Sequence, residues 1–234
     1  MKFAIIAAGE GSRLANEGVK TLKPLVCLNG EPMIDRLIRI FAANNASSVS
    51  IIVNREMHEV YEHISDTKYP VPLHIIQKST PSSMHSFYEL SPTLGNDRFC
   101  LTTVDTIFHE KEFSRYIDAF NQCNADGLLA VTDYIDDEKP LYVETNEQMT
   151  IRGFHDEDDH GFRYISGGIY CLGNNSIPVL KASVEAGMSR LRNYQRQLVK
   201  NGLKLQAWPF SQIIDVDHPE DICKAERFLK STGS

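Results

Sequence analysis

The chain has 234 residues, 42% of them hydrophobic and 24% charged, and 24 Lys and Arg against 31 Asp and Glu give a formal net charge of -7. That composition is globular rather than disordered or collagen-like, and its acidic balance argues against a general nucleic-acid binder. No apolar run approaches the roughly 18 residues of a membrane span, the start at Phe3–Ala8 runs into Glu10 and Arg13 without a cleavable-signal layout, and the five widely spaced cysteines lack a C-x-x-C pair, so reduced thiols and a cytoplasmic address are expected.

In chain order, apolar β-type runs alternate with helical patterns. Strands are expected at residues 2–7, 49–53, 73–76 and 99–104, and helices at 32–43, 56–64 and 82–90. The strands read as continuous apolar runs, as in a largely parallel sheet covered on both faces. In the first long helix Pro32 suits the N1 position, and Ile34, Leu37, Ile38 and Phe41 recur at core spacing. A helix at 112–122 and a strand at 127–132 follow. The pattern then turns to antiparallel or mixed strands at 141–144, 150–154 and 164–172, helices at 177–186 and 189–201, strands at 203–208 and 211–216, and a last helix at 219–229. No internal repeat or linker interrupts this, so one domain with two functional halves, 1–110 and 111–234, is expected. The acid is local: residues 133–160 hold ten carboxylates against Lys139 and Arg152, a charge of -8, which leaves the remainder of the -7 chain near +1.

After the first strand comes Ala7-Ala8-Gly9-Glu10-Gly11-Ser12-Arg13-Leu14. Two glycines there permit positive φ and let backbone N–H groups approach an anion; a plain tight turn is the alternative. Arg13 is a bidentate phosphate donor, and Lys23-Pro24-Leu25 adds a second cation, with Lys20 as a competitor. The loop fits neither the Walker nor the dinucleotide pattern.

Together with Gly30-Glu31-Pro32-Met33-Ile34, these segments resemble the N-terminal signature of the nucleotidyltransferases that make nucleotide sugars from an NTP and a sugar 1-phosphate. The resemblance extends through Gln77, Ser79-Thr80-Pro81-Ser82-Ser83, Asp105, Ser166-Gly167-Gly168-Ile169-Tyr170 and Ile214-Asp215-Val216-Asp217-His218-Pro219-Glu220-Asp221-Ile222. It implies a three-layer α/β/α sandwich around a mixed, mainly parallel sheet, and attack of a phosphate-monoester oxygen on the α-phosphorus of the NTP with pyrophosphate leaving. It also implies nucleotide contacts from Ala7, Ala8, Gly9, Glu10, Gly11, Ser12, Arg13, Lys23, Gln77, Ser82 and Thr103. Lys23 would bridge the α-phosphate and the incoming phosphate, and Arg13 with the Gly9–Ser12 amides would hold the leaving phosphates. Asp105, at a strand end, makes sense beside a triphosphate only with a divalent ion between them, since a carboxylate alone repels phosphate. Mg²⁺ suits such a site, with Asp215 or Asp217 as second carboxylate; an N-cap role competes for Asp217. Ser82 has the same competing role.

For the acceptor, Glu144 is a candidate for a sugar hydroxyl, Gly167 and Gly168 for close approach to the ring, and Arg190 and Arg192 for the acceptor phosphate. A β-bulge is the alternative for the glycines and solvated surface charge for the arginines. Two departures from the family pattern bear on the nucleoside and on the acceptor respectively. Val104 stands where many relatives have Gly, crowding the nucleoside, and Phe154-His155-Asp156-Glu157-Asp158 stands near where a Glu-Lys-Pro motif is expected. An acidic loop suits a cationic alcohol phosphate such as phosphocholine, or is a solvated lid. A non-catalytic nucleotide-sugar-binding regulatory protein and a glycosyltransferase are the competing classes.

Overall fold

The computed structural model describes residues 1–136 and 138–231, so that Asp137 of the acidic stretch lies outside the described residues. The chain opens with β1 (Lys2–Ala7), a short helix α1 (Ser12–Asn16), a 3-10 turn over Lys23–Leu25 and a small hairpin of β2 (Cys27–Leu28) and β3 (Glu31–Pro32). Then come α2 (Met33–Ala43), β4 (Ser48–Val53), α3 (His58–Asp66), β5 (Leu73–Gln77), α4 (Ser83–Leu94) and β6 (Phe99–Thr103). The later part adds β7 (Thr106–Ile107), α5 (Glu110–Gln122), β8 (Gly127–Thr132), β9 (Tyr142–Thr145), β10 (Ile151–His155) and β11 (Tyr164–Leu172). It closes with α6 (Ser176–Glu185), α7 (Leu191–Lys200), β12 (Leu205–Phe210), β13 (Ile214–Asp215) and α8 (Pro219–Lys230).

One nine-stranded sheet draws on both parts of the chain. Strands β5, β4, β1 and β6 are parallel neighbours in that order. The antiparallel β11 joins them to β8, and β12 adds parallel to β8. A second sheet holds only β7 and β13. Strands β1, β4 and β8 are buried almost end to end, which is the physical reason their sequences do not alternate. The helical stripes divide between the two faces: α2, α3, α5 and α8 on one, α4, α6 and α7 on the other. This is the three-layer α/β/α sandwich with a mixed, mainly parallel sheet that the sequence led us to expect. Among the described residues no helix is long and apolar enough to cross a membrane.

On the α2 face the core is aromatic. Phe3 stacks on Phe41 with centroids 4.5 Å apart, and Phe113 stacks on Phe41 and Phe108 at 5.6 and 4.7 Å. Phe113→Ala is therefore expected to lower unfolding free energy by about 3–5 kcal/mol, read as a lower urea midpoint at unchanged slope.

Two prolines correct the expected boundaries. Pro32 is not the first helical residue of α2 but its extended N-cap, with ψ 140°, because it pairs with Cys27 in the β2–β3 hairpin. The strand expected at 203–208 instead runs through Pro209, whose missing N–H is tolerated because β12 lies at a sheet edge beside β8. The strand expected at 211–216 shrinks to β13.

Candidate active site

The register aligns Ala7 with Val53, Val53 with Gln77, and Ile6 with Thr103, so β5, β4, β1 and β6 end at one level. Carboxyl ends of parallel strands are where ligands gather in such sheets. Ala8 is buried at the end of β1, while Gly9, Glu10 and Ser12 are exposed beyond it. Only one of the two glycines uses the left-handed region: Gly11 has φ 63° and begins α1, whereas Gly9 does not. A Cβ on Gly11 would stand 2.9 Å from Cβ of Lys23. Gly11→Ala therefore combines backbone strain with displacement of Lys23, and is expected to lower unfolding free energy by about 1–3 kcal/mol, read as a lower urea midpoint. Asn54, which the sequence reading missed, braces the loop: its Nδ2 donates to Ala8 O at 3.2 Å and its Oδ1 accepts from Ser79 Oγ at 2.8 Å.

Lys23, with 9% of its surface exposed, points its ammonium between two carboxylates. One is Asp105; the other is Asp217, whose Oδ1 lies 2.7 Å from Nζ. The second oxygen of Asp217 accepts from Arg13 Nη1, also at 2.7 Å. Lys20 is exposed and outside this group. Burial alone would lower the Lys23 pKa, but Asp105 and Asp217 more than offset it and the ammonium is held above its ordinary range. Burial alone would raise the Asp105 pKa, yet Lys23, with help from Thr103, holds its carboxyl below the usual range. Thr103 Oγ1 also pairs with Thr106 Oγ1 at 2.8 Å.

What brings Asp217 here is the second sheet. Asp215 pairs with Thr106 and Ile214 with Ile107, and the Val216 N–H donates to Asp105 O at 3.1 Å. Val216 is fully buried, so Asp215 and Asp217 lie on the opposite side of the segment. The expected competition for Asp217 is absent. His218 is the N-cap of α8, and Asp221 accepts the N–H groups of Asp217 and His218 at 3.1 and 2.8 Å. The Asp217 carboxylate is thus left for Arg13 and Lys23. Among the described residues no group of three His, Cys, Asp or Glu is arranged to hold a metal.

A cavity of about 490 Å³ adjoins this cluster, bounded by Arg13, Asp215, Asp217, Gly167, Tyr134 and Lys224. A Cβ on Gly167 would come 2.3 Å from Ile213 Cδ1, and Gly168 has φ 73° where the β8–β11 register shifts. The bulge is real, and it coexists with the cavity wall. His218 Nδ1 bonds Glu17 at 2.7 Å at the cavity rim, which raises the imidazole pKa.

Other candidates are more dispersed. Gln77 Nε2 donates to Arg55 O and His58 Nδ1 at 3.3 Å. Ser82 is the N-cap residue of α4 without a side-chain cap, because its hydroxyl pairs with His85 Nδ1 at 2.9 Å and accepts the Arg190 N–H at 3.3 Å. Glu144 lines neither this cavity nor the next one; it accepts from His155 Nε2 at 3.0 Å. Arg190 and Arg192 border a separate cavity of about 830 Å³ beside the acidic stretch. There Arg192 donates to Asp156 at 2.7 Å and Lys139 O at 2.9 Å, and Arg196 meets the other Asp156 oxygen at 2.7 Å. These bonds, that of Arg196 foremost, hold Asp156 below the usual carboxylate range against the opposing effect of burial. Val104 does not crowd the strand ends: it is 5% exposed and packed in the core.

Residues 3–167 match the model of the MobA-like NTP transferase domain. The chain belongs to that family. It is 24% identical over 98% of its length to the bifunctional protein GlmU of Thermodesulfovibrio yellowstonii, and 24% identical over 96% to that of Methanococcus maripaludis. It spans about half the length of these curated relatives, 52% and 53%. Among solved structures, this NTP transferase domain superposes on a glucose-1-phosphate thymidylyltransferase structure from Bacillus anthracis with TM-score 0.86 at 19% identity, covering 100% of this chain and 97% of that one. The inositol-1-phosphate CTP transferase of T. maritima gives 0.81 at 18% identity, with 100% and 97% covered. A UDP-glucose pyrophosphorylase structure with UDP-glucose gives 0.81 at 15%, with 98% of each chain covered. These likenesses establish the shared fold.

Proposed function

We propose that the chain is a Mg²⁺-dependent nucleotidyltransferase that joins an NTP to a sugar 1-phosphate, releasing pyrophosphate, in one cytoplasmic domain whose residues 1–110 bind the nucleotide and 111–234 the acceptor. The observation that carries this is the ammonium of Lys23 held between Asp105 and Asp217, with Arg13 on the far oxygen of Asp217. Charges of both signs at the ends of β1 and β6 suit a reaction that needs positioning and neutralisation more than a protein nucleophile.

The donor set fits Mg²⁺. Asp105 and Asp217 present hard oxygens that meet at one nitrogen, and this ion commonly takes one or two carboxylates together with substrate phosphates. When bound, Mg²⁺ would polarise the phosphoryl oxygens and offset their charge. The rest of the chemistry falls to the chain. Lys23, kept protonated, exchanges its carboxylate partners for the α-phosphate and the incoming phosphate. Arg13 follows the departing pyrophosphate. A phosphate monoester with second pKa about 6 is mostly ionised at neutral pH and needs no general base.

On this reading the cavity beyond Arg13 and Asp217 receives the acceptor, with Tyr134, Ser166 and Gly167 in its lining and Glu144 outside it. Its wall also carries Glu17, Asp136, Glu138, Asp215, Glu220 and Asp221. That lining favours, as the second reading, an alcohol phosphate bearing a cation such as phosphocholine. Purified protein incubated with Mg²⁺, each of the common NTPs and a panel of sugar and alcohol phosphates tests both. Pyrophosphate released mole for mole with acceptor is the expected result; nucleotide binding without turnover, or release of a nucleoside diphosphate, rejects the proposal.

A further inference from the structure

Asn54 is the first residue beyond β4 and is 8% exposed. Its side chain makes three hydrogen bonds. Nδ2 donates to Ala8 O at 3.2 Å, and Oδ1 accepts from Ser79 Oγ at 2.8 Å and from the Glu56 N–H at 3.0 Å. The bond to Glu56 is local and shapes the turn in which Asn54 itself sits, as asparagine side chains often do. The other two leave that turn towards opposite neighbours, because β4 lies between β1 and β5. One reaches the residue just before Gly9, and the other reaches the segment that follows β5.

That segment is otherwise fastened to helices. The Lys78 N–H donates to Val53 O at 2.9 Å and ends the ladder with β4. Beyond it, Thr80 Oγ1 pairs with Ser86 Oγ at 2.6 Å and Ser82 Oγ with His85 Nδ1 at 2.9 Å, both partners lying in α4. Ser82 Oγ also accepts the Arg190 N–H at the start of α7. From residues 79–82, the Ser79 hydroxyl is therefore the one side-chain link among the described residues back to the strand ends. The order of strands gives this link its meaning. A triphosphate on the glycine loop, Arg13 and Lys23 lies at the ends of β1 and β6, and the acceptor cavity takes the side of β11 and β13. The ends of β4 and β5 are left for the nucleoside. There the Gln77 amide, whose two bonds are both 3.3 Å long, and the Ser82 hydroxyl are groups able to pair with a base edge. A nucleotide so placed spans two loops with Asn54 between them, and a relative shift of about 1 Å is enough to misplace a reacting phosphate.

On the reading of the chain as a nucleotidyltransferase, we propose that Asn54 is a positioning residue for the nucleotide. It fixes the distance between the glycine loop and residues 77–82, and so couples the grip on the triphosphate to the choice of base. It acts through Ala8 and Ser79 and does not itself touch the ligand.

Calorimetric titration with Mg²⁺ and each of ATP, CTP, GTP, UTP and inorganic triphosphate, which carries no base, tests this role. The wild type is expected to bind one NTP more tightly than the other three and than triphosphate. Asn54→Ala is expected to shrink that preference at least about fivefold, the scale of one lost hydrogen bond. Ser79→Ala, at an exposed loop residue, is expected to shrink it likewise and serves if Asn54→Ala does not fold. The double variant should lose no more preference than Asn54→Ala alone, since both substitutions open the same link. A purely structural Asn54 would weaken all five ligands in proportion or none, and the preference would keep its wild-type value in both single variants. That result overturns the proposal, as do losses that add in the double variant or a wild type that binds all five ligands alike. A wild type that binds no NTP rejects the nucleotidyltransferase reading and the positioning role with it, whereas an unchanged preference in the variants rejects the positioning role alone.

Discussion

Lys23→Ala is expected to lower the rate of pyrophosphate release by about three orders of magnitude, the upper end for removing one preorganised charge from a transition state. Nothing nearby replaces it, because Lys20 is exposed and Arg13 reaches only the far oxygen of Asp217. The same substitution leaves Asp105, whose side chain is 20% exposed, without its cation. A stability loss of about 3 kcal/mol is expected, at the low end for breaking a buried pair because Asp105 keeps some solvent. Its pH dependence has a defined sign. The Asp105 carboxyl titrates below the ordinary range in the folded chain, so its contribution is complete above the unfolded carboxylate pKa and disappears as pH falls through the folded value. The gap between wild type and Lys23→Ala in chemical denaturation should thus be widest near neutral pH and shrink in acid. A variant with a normal rate would remove Lys23 from the mechanism.

The second large effect is expected from the carboxylates. Asp105→Asn and Asp217→Asn each remove a hard oxygen donor and should depress turnover by about 10³-fold, the equivalent of several kcal/mol of charge stabilisation. Both should also raise the Mg²⁺ concentration at half-maximal rate. Asp215→Asn is the informative contrast. Asp215 sits on the cavity wall while Asp217 meets Lys23 and Arg13, so it should alter the acceptor KM and leave the Mg²⁺ dependence near that of wild type. If the Asp215 and Asp217 variants exchange these behaviours, the metal ligand has been misassigned between them.

Much of this fold and site is legible in the sequence. The apolar runs 2–7, 127–132 and 164–172 coincide with β1, β8 and β11, because a strand buried on both faces writes its burial into consecutive residues. Lys23, Asp105 and Asp217 could be selected by local motif, and they do meet. What remained hidden depends on partners distant in sequence. Asn54 braces the first loop from the end of β4, and Asp221 relieves Asp217 of the capping role only once α8 has formed. Arg192 reads as a ready phosphate ligand until Asp156, 36 residues away, accepts its guanidinium. Glu144 is engaged in the same way by His155 from the neighbouring strand. Local pattern reports which residue types are present; it does not report which of their hydrogen bonds are already spent.

The bonds from Asp217 to Lys23 and Arg13 span 194 and 204 residues. In synthesis, β1, the glycine loop and the basic pair precede Asp217 by that whole span and wait for its carboxylate until it is made. The pairs of Asp217 with Lys23 and Arg13 therefore form only when β13 docks beside β7, and a nascent chain halted before that segment would carry the glycine loop yet lack the carboxylate that pairs with its cations.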